Sequence, residues 1–293
     1  MSNMEPLHKN VQTLSDKKKA FANLIEIYLA NNNIGPGRYK TNELEIKFGT
    51  NYKVAKPISK MNYDNVIKFL YSNGFKCENP QGFQSLRIYN EYTNPKGETQ
   101  FSNVRAEING TDLISDYCEH NSIQRLIDKP STINDKIIFL QKTSPRNEND
   151  KPIRNVDFED FNLRVSYKIE QTYNVHTNLA RKIISNWDNS LKIFRCMNRI
   201  RFYHDEYPIY ADLSIVKTSK KSNHNQVPTY TIQEAELFNN TENYEIEIEL
   251  DNNKIGIGTQ YDTVDKILNI LRKSIRIVLS GIQNTNYPIP YDK

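Results

Sequence analysis

The sequence predicts an α+β fold, a mostly antiparallel sheet with helices packed outside it. Three observations predict it. From residue 83 onward, short stretches of alternating apolar and polar residues follow one another in quick succession, as hairpin-connected strands do. Two amphipathic helical stretches stand ahead of most strands and a long one follows the last. Composition leans the same way, with 18 Tyr and 12 Phe against one Trp, residues that suit a half-wet pleated surface.

Residues 1–14 are polar and read as a loose lead-in. SDKKKAFANLIEIYLA, residues 15–30, puts Phe21, Leu24, Ile25 and Leu29 on one helical face, with Ser15 or Asp16 as cap. NNNIGPGRYK then breaks the helix, and TNELEIKFGT follows as a strand of strict alternation. Residues 62–73 form a second amphipathic helix stopped by Gly74. Residues 83–109 read as a hairpin turning at NPKGE, and 112–127 as one helix ending before Lys129-Pro130. Strands KIIFLQKT, NLRVSYKIEQTY, LKIFRCMNRIRFYH, PIYADLSIVKTS and YEIEIELD come next, interrupted by a helix at NLARKIISNWD. A last helix spans about 261–282, and the polar stretches 144–155 and 219–243 read as the mobile loops.

A chain of 293 residues accommodates one large domain or two ordinary ones. Its net charge of +4 is compatible with a polyanionic ligand without requiring one. Cys77, Cys118 and Cys196 are odd in number and scattered, which excludes a disulfide framework and a Cys-rich zinc site and points to a reducing, intracellular setting. No apolar run reaches membrane-spanning length and no signal peptide opens the chain, so no membrane role is expected.

The polar faces of the strands are sorted by sign. Glu43, Glu45 and Lys47 share one face of the first strand, and Glu245, Glu247 and Glu249 share one face of the last. Carboxylates about 6.6 Å apart along a strand repel, and oxygen-preferring Mg²⁺ or Mn²⁺ is the physical remedy. Between them, Arg195, Met197, Arg199 and Arg201 alternate on one strand and Arg164, Ser166, Lys168 and Glu170 on another. Arg105 and Glu107 do so on a third and Asp212 and Ser214 on a fourth, with Lys142 near the end of a fifth. A single Glu-x-Glu strand is most often a solvated face, and Lys47 by itself reads as one half of a weak surface ion pair. His176 and His204 read as ordinary surface residues. Two acidic strands bracketing several basic ones predict more: a sheet curled around a polyphosphate and its metal.

ELEIKFG, RVSYKIEQ and YEIEIEL resemble the triphosphate tunnel metalloenzymes, nearest the RNA triphosphatases of fungal, protozoal and large DNA virus mRNA capping enzymes. The resemblance covers about residues 40–285 and implies an eight-stranded antiparallel β tunnel braced by outer helices. It implies a lead-in over 1–40, a catalytic tunnel over 41–285 and a linker over 286–293 toward a guanylyltransferase domain or subunit. The implied activity is removal of the γ-phosphate from 5′-triphosphate RNA with Mg²⁺ or Mn²⁺, the first step of capping, in a viral factory of the host cytoplasm or a virion. Nucleoside triphosphates and tripolyphosphate are the alternative substrates, since Glu43-Leu44-Glu45-Ile46-Lys47 also satisfies the Glu-x-Glu-x-Lys pattern of a sister branch. A non-catalytic module that binds RNA 5′ ends is the alternative of a different class.

By motif, the resemblance assigns metal binding to Glu43, Glu45, Glu245, Glu247 and Glu249, and the orienting of water to Glu170. It assigns phosphate contacts to Arg105, Lys142, Arg164, Lys168, Arg195, Arg199 and Arg201, and a tunnel-floor motif to Asp212 and Ser214. Two positions depart from the pattern. The basic Lys-x-Arg pair is matched either by Met197 and Arg199 or by Arg199 and Arg201, and Tyr210 stands where some relatives carry arginine.

Overall fold

The computed structural model describes residues 13–34, 40–49, 56–94, 96–129, 136–223 and 225–282. In chain order the elements are α1 (Leu14–Ile34), β1 (Lys40–Phe48), α2 (Lys60–Ser72), β2 (Lys76–Cys77), β3 (Phe83–Thr93), β4 (Thr99–Asn109), α3 (Thr111–His120), α4 (Ile123–Ile127) and β5 (Ile137–Thr143). There follow β6 (Val156–Phe158), β7 (Leu163–Tyr173), α5 (Asn178–Ser185), β8 (Lys192–Tyr203), β9 (Ile209–Thr218), β10 (Lys221–Ser222), β11 (Asn225–Gln226), β12 (Asn243–Leu250) and α6 (Val264–Ile282).

Eight antiparallel strands run in the order β1-β12-β9-β8-β3-β4-β5-β7, and β7 pairs back with β1 to close the barrel. Closure leaves no free edge among those strands. The first and last of them in sequence are neighbours, with Glu45 opposite Glu249 and Lys47 opposite Glu247.

The barrel is apolar outside and polar inside. Leu44, Ile46, Phe48, Leu213, Ile246 and Ile248 turn outward beneath α1, α2 and α6 and form one core. Leu86, Ile88, Ala106, Ile108, Phe139 and Phe194 turn outward on the other side beneath α3, α4 and α5 and form a second. Because strand side chains alternate, burying these residues against helices forces their charged neighbours into the lumen.

Several boundaries differ from the sequence expectation. Thr13 caps α1: its hydroxyl accepts from Asp16 N, and the Asp16 carboxylate accepts from Thr13 N, both at 3.2 Å. Ser15 and Asp16 therefore lie inside the first turn, and the helix continues through Asn31–Asn33 to Ile34. The expected helix over 112–127 is two helices, because Asn121 adopts a left-handed φ of 54° and ends the first. The stretch 219–243 is no free loop, since Ile232, Ala235 and Leu237 plug the second core. The proposed linker 286–293 lies outside the described residues.

Candidate active site

β1 carries Glu43 and Glu45 inward, and β7 beside it carries Glu170. The ammonium of Lys142, from β5, sits among all three. It donates to Glu45 Oε2 at 2.9 Å, touches Glu43 Oε2 and lies 3.6 Å from Glu170 Oε1. Ser166 donates to the other oxygen of Glu45 at 2.9 Å. Arg105 approaches Glu170 at 3.8 Å and donates to Glu107 at 2.7 Å.

A second cluster forms around Asp212, which is 2% exposed on β9. Arg201 grips it with two hydrogen bonds of 2.7 Å, and Arg199 adds one of 3.0 Å. Arg199 also reaches Ser214 at 3.3 Å and Glu247 at 3.5 Å, while Arg201 reaches Glu249 at 2.9 Å and stacks over Tyr210. Tyr210 thus supports Arg201. Arg195 pairs with Glu245.

Most of these groups line one cavity of about 1070 Å³, at the upper end of clefts that take small ligands. The charges inside are incompletely balanced. Burial pushes the Glu43 carboxyl up to about 8 against the pull of Lys142, with Glu45 and Glu170 adding repulsion. Burial likewise raises Glu249 to about 7, opposed by Arg201. Burial is the largest single influence on Glu45 and Glu247 and opposes their ionisation, but Lys47 and Lys142 at Glu45, and Lys47, Arg199 and Lys142 at Glu247, together outweigh it, and both carboxyls lie below their ordinary range.

Most of the expected site residues meet here. Glu43, Glu170, Glu245, Glu247, Glu249, Arg105, Lys142, Arg195, Arg199 and Arg201 line the cavity, with Glu45, Asp212 and Ser214 buried in its wall. Two expected phosphate-holding residues are not among those that line it: Arg164 forks onto Asp157 at 2.7 and 3.1 Å, and Lys168 donates to Ser144 at 2.7 Å. On the basic strand, Arg199 and Arg201 are the pair on Asp212, and Met197 is an interior apolar residue, 2% exposed.

Lys47 corrects the surface reading. It lies inside the tunnel, 3.3 Å from Glu45 and 3.2 Å from Glu247. Sequence reasoning also missed Arg87, which lines the cavity 2.8 Å from Glu107. Its signal was present, because Arg87 alternates with the apolar Leu86 and Ile88.

The expected five-carboxylate metal site is not gathered as such. Among the described residues no three acidic, His or Cys side chains are clustered to hold a metal ion, and Glu245 and Glu247 are engaged by Arg195, Lys47 and Arg199. Lysine and arginine supply part of the charge neutralisation assigned to a cation. The donor chemistry still fits a hard divalent ion. Glu43, Glu45 and Glu170 present carboxylate oxygens to the place held by the Lys142 ammonium, Glu249 stands opposite Glu45 in register, and the buried Glu43 Oε2 accepts no well-formed hydrogen bond despite its contact with Lys142.

Among solved structures, that of the Mimivirus capping enzyme triphosphatase matches 91% of this chain and 98% of its own, at 15% identity and a TM-score of 0.51. This chain has the triphosphate tunnel fold. Pct1, an RNA triphosphatase of S. pombe, matches 97% of this chain and all of its own at 13% identity, with a TM-score of 0.47. Its complex with the Spt5 CTD matches at 11% identity and 0.43. These two scores add nothing to the fold assignment. No protein-family model matches the sequence, and neither does any curated protein.

Proposed function

We propose that this tunnel is a metal-dependent RNA 5′-triphosphatase, which hydrolyses the γ-phosphate of triphosphate-ended RNA and leaves a diphosphate end ready for capping. The observation that carries the reading is the convergence of Glu43, Glu45, Glu170 and Glu249 with Arg105, Lys142, Arg199 and Arg201 inside one closed barrel. An RNA-binding module has no use for carboxylates that repel its ligand, whereas a phosphohydrolase needs both signs at once.

Glu43, Glu45 and Glu249 would hold Mg²⁺ or Mn²⁺, whose chemistry is to neutralise charge on the transferring phosphoryl group. Arg105, Arg199 and Arg201 offer forked donors to non-bridging oxygens. Glu170 orients the attacking water and takes its proton. The water oxygen bonds to the γ-phosphorus as the bond to the β–γ bridging oxygen breaks, and the β-phosphate leaves with that electron pair. Positioning and preorganised charge do the work, with no covalent enzyme intermediate.

A second reading is favoured by Lys47, whose place between Glu45 and Glu247 makes Glu43-Leu44-Glu45-Ile46-Lys47 an interior Glu-x-Glu-x-Lys motif. On that reading inorganic tripolyphosphate or a nucleoside triphosphate is the substrate. Comparing kcat/KM for triphosphate-ended RNA, ATP and tripolyphosphate tests both. Preference for RNA supports the first, and preference for tripolyphosphate replaces it with the second.

A further inference from the structure

We infer that Lys142 is the resident counter-ion of the acidic centre, and that a divalent metal ion binds only by displacing it from Glu43 and Glu45. The inference rests on the metal-dependent reading above and adds an antagonism inside the protein itself.

Three carboxylates from β1 and β7 converge on the single ammonium that β5 delivers. Glu45 has no oxygen to spare: Ser166 takes Oε1, while Lys142 and Lys47 share Oε2. Glu43 meets Lys142 through Oε2. A hard divalent ion draws on the same lone pairs and repels an adjacent ammonium, so both cations cannot hold these oxygens together. Lysine suits displacement, being a point charge on a flexible stem with no fork to break. Its side chain is 20% exposed and lines the cavity, so the released ammonium stays within the space that takes phosphate. Metal and phosphate then favour one another: an anion that engages Lys142 vacates the carboxylates, and a metal on the carboxylates frees Lys142 for the anion.

Lys168 provides the internal control. Its backbone stands opposite Glu43, yet its ammonium is hydrogen-bonded to Ser144 and ion-paired to none of the three acids among the described residues. Removing it deletes the same charge nearby without opening the contact.

The experiment is a Mn²⁺ titration of the full chain followed by electron paramagnetic resonance, without substrate. Lys142→Met is expected to bind Mn²⁺ roughly tenfold tighter than wild type, within the usual range of site coupling. Lys168→Met is expected to tighten binding less than about threefold, a long-range charge effect only. Lys142→Gln, which keeps a donor for Glu45 without the charge, should follow Lys142→Met and serves if the methionine variant fails to fold. Before metal is added, the Lys142 variants should also melt below wild type and gain more from Mn²⁺. The inference is overturned, with the metal reading intact, if wild type binds Mn²⁺ and the Lys142 variants bind it no tighter than Lys168→Met. Absence of Mn²⁺ binding by all of these proteins would instead overturn the metal reading together with the inference.

Discussion

Asp212 illustrates how single residues hold this interior together. Its carboxylate is nearly inaccessible and accepts from two guanidinium groups. Asp212→Ala leaves both arginines without their shared partner, and breaking a buried pair from one side costs about 3–5 kcal/mol. Arg199 and Arg201 keep about a quarter of their side-chain surface, so the lower end, about 3 kcal/mol, is expected in urea unfolding. Glu45 has a different role. Glu45→Ala should reduce phosphate release by more than about a hundredfold, on the scale of losing a preorganised charged group. Far-ultraviolet circular dichroism should remain native, since Leu44 and Ile46 still pack outward. At this scale the acidic residues were legible in the sequence, because alternation names the face each occupies. The role of Lys47 was not. Alternation alone does not say whether a polar face meets water or a lumen, and only closure of β7 onto β1 decides that.

Among the elements, β1 and β12 carry most of the site's carboxylates, and their adjacency joins residues about two hundred positions apart. Their acidic pattern was readable, and so were the hairpin of β3 and β4 and the α5 insertion. The break at Asn121 was not, because a left-handed asparagine within a helical pattern leaves the periodicity on both sides intact. Nor was the packing of 232–237, whose few apolar residues are too sparse to read as an element. The turns of Arg164 toward Asp157 and of Lys168 toward Ser144 depend on loop and edge residues that no motif fixes. The helix layer is specified more tightly. A Cβ on Gly281 of α6 would lie 2.8 Å from Val66 N and Cα on α2, and backbone atoms cannot give way cheaply. Gly281→Ala should therefore push the helices apart and destabilise the protein by about 1–3 kcal/mol, the usual cost of overpacking. A lowered melting temperature with unchanged helix content is the expected result.

Over the whole molecule, burial in the tunnel disfavours the ionised forms of Glu43 and Glu249, and the neighbouring lysine and arginines offset it only in part. Both carboxyls have folded-state values raised to about 8 and about 7. A group raised on folding stabilises the protein fully below the ordinary carboxylate range, and that contribution is lost as pH climbs through the folded value. The metal-free melting temperature should thus fall between about pH 5 and pH 8. His204, held below its ordinary value chiefly by burial, pulls the other way, but it is a single half-buried ring against two raised carboxyls. Mg²⁺ or Mn²⁺ should raise the melting temperature more at pH 8 than at pH 6, because ionised carboxylates are the ligands. A flat metal-free profile, or equal metal effects at both values, would contradict this charge balance. The central claim, that acids and bases meet in one barrel to hydrolyse a triphosphate end, is tested most directly by γ-phosphate release. Wild type and Glu45→Ala would be incubated with γ-labelled triphosphate RNA, with and without Mn²⁺. Release by wild type only when the metal is present, and its loss in the variant, is the predicted result. Equal release by both proteins, or none by wild type under any metal, would contradict the account.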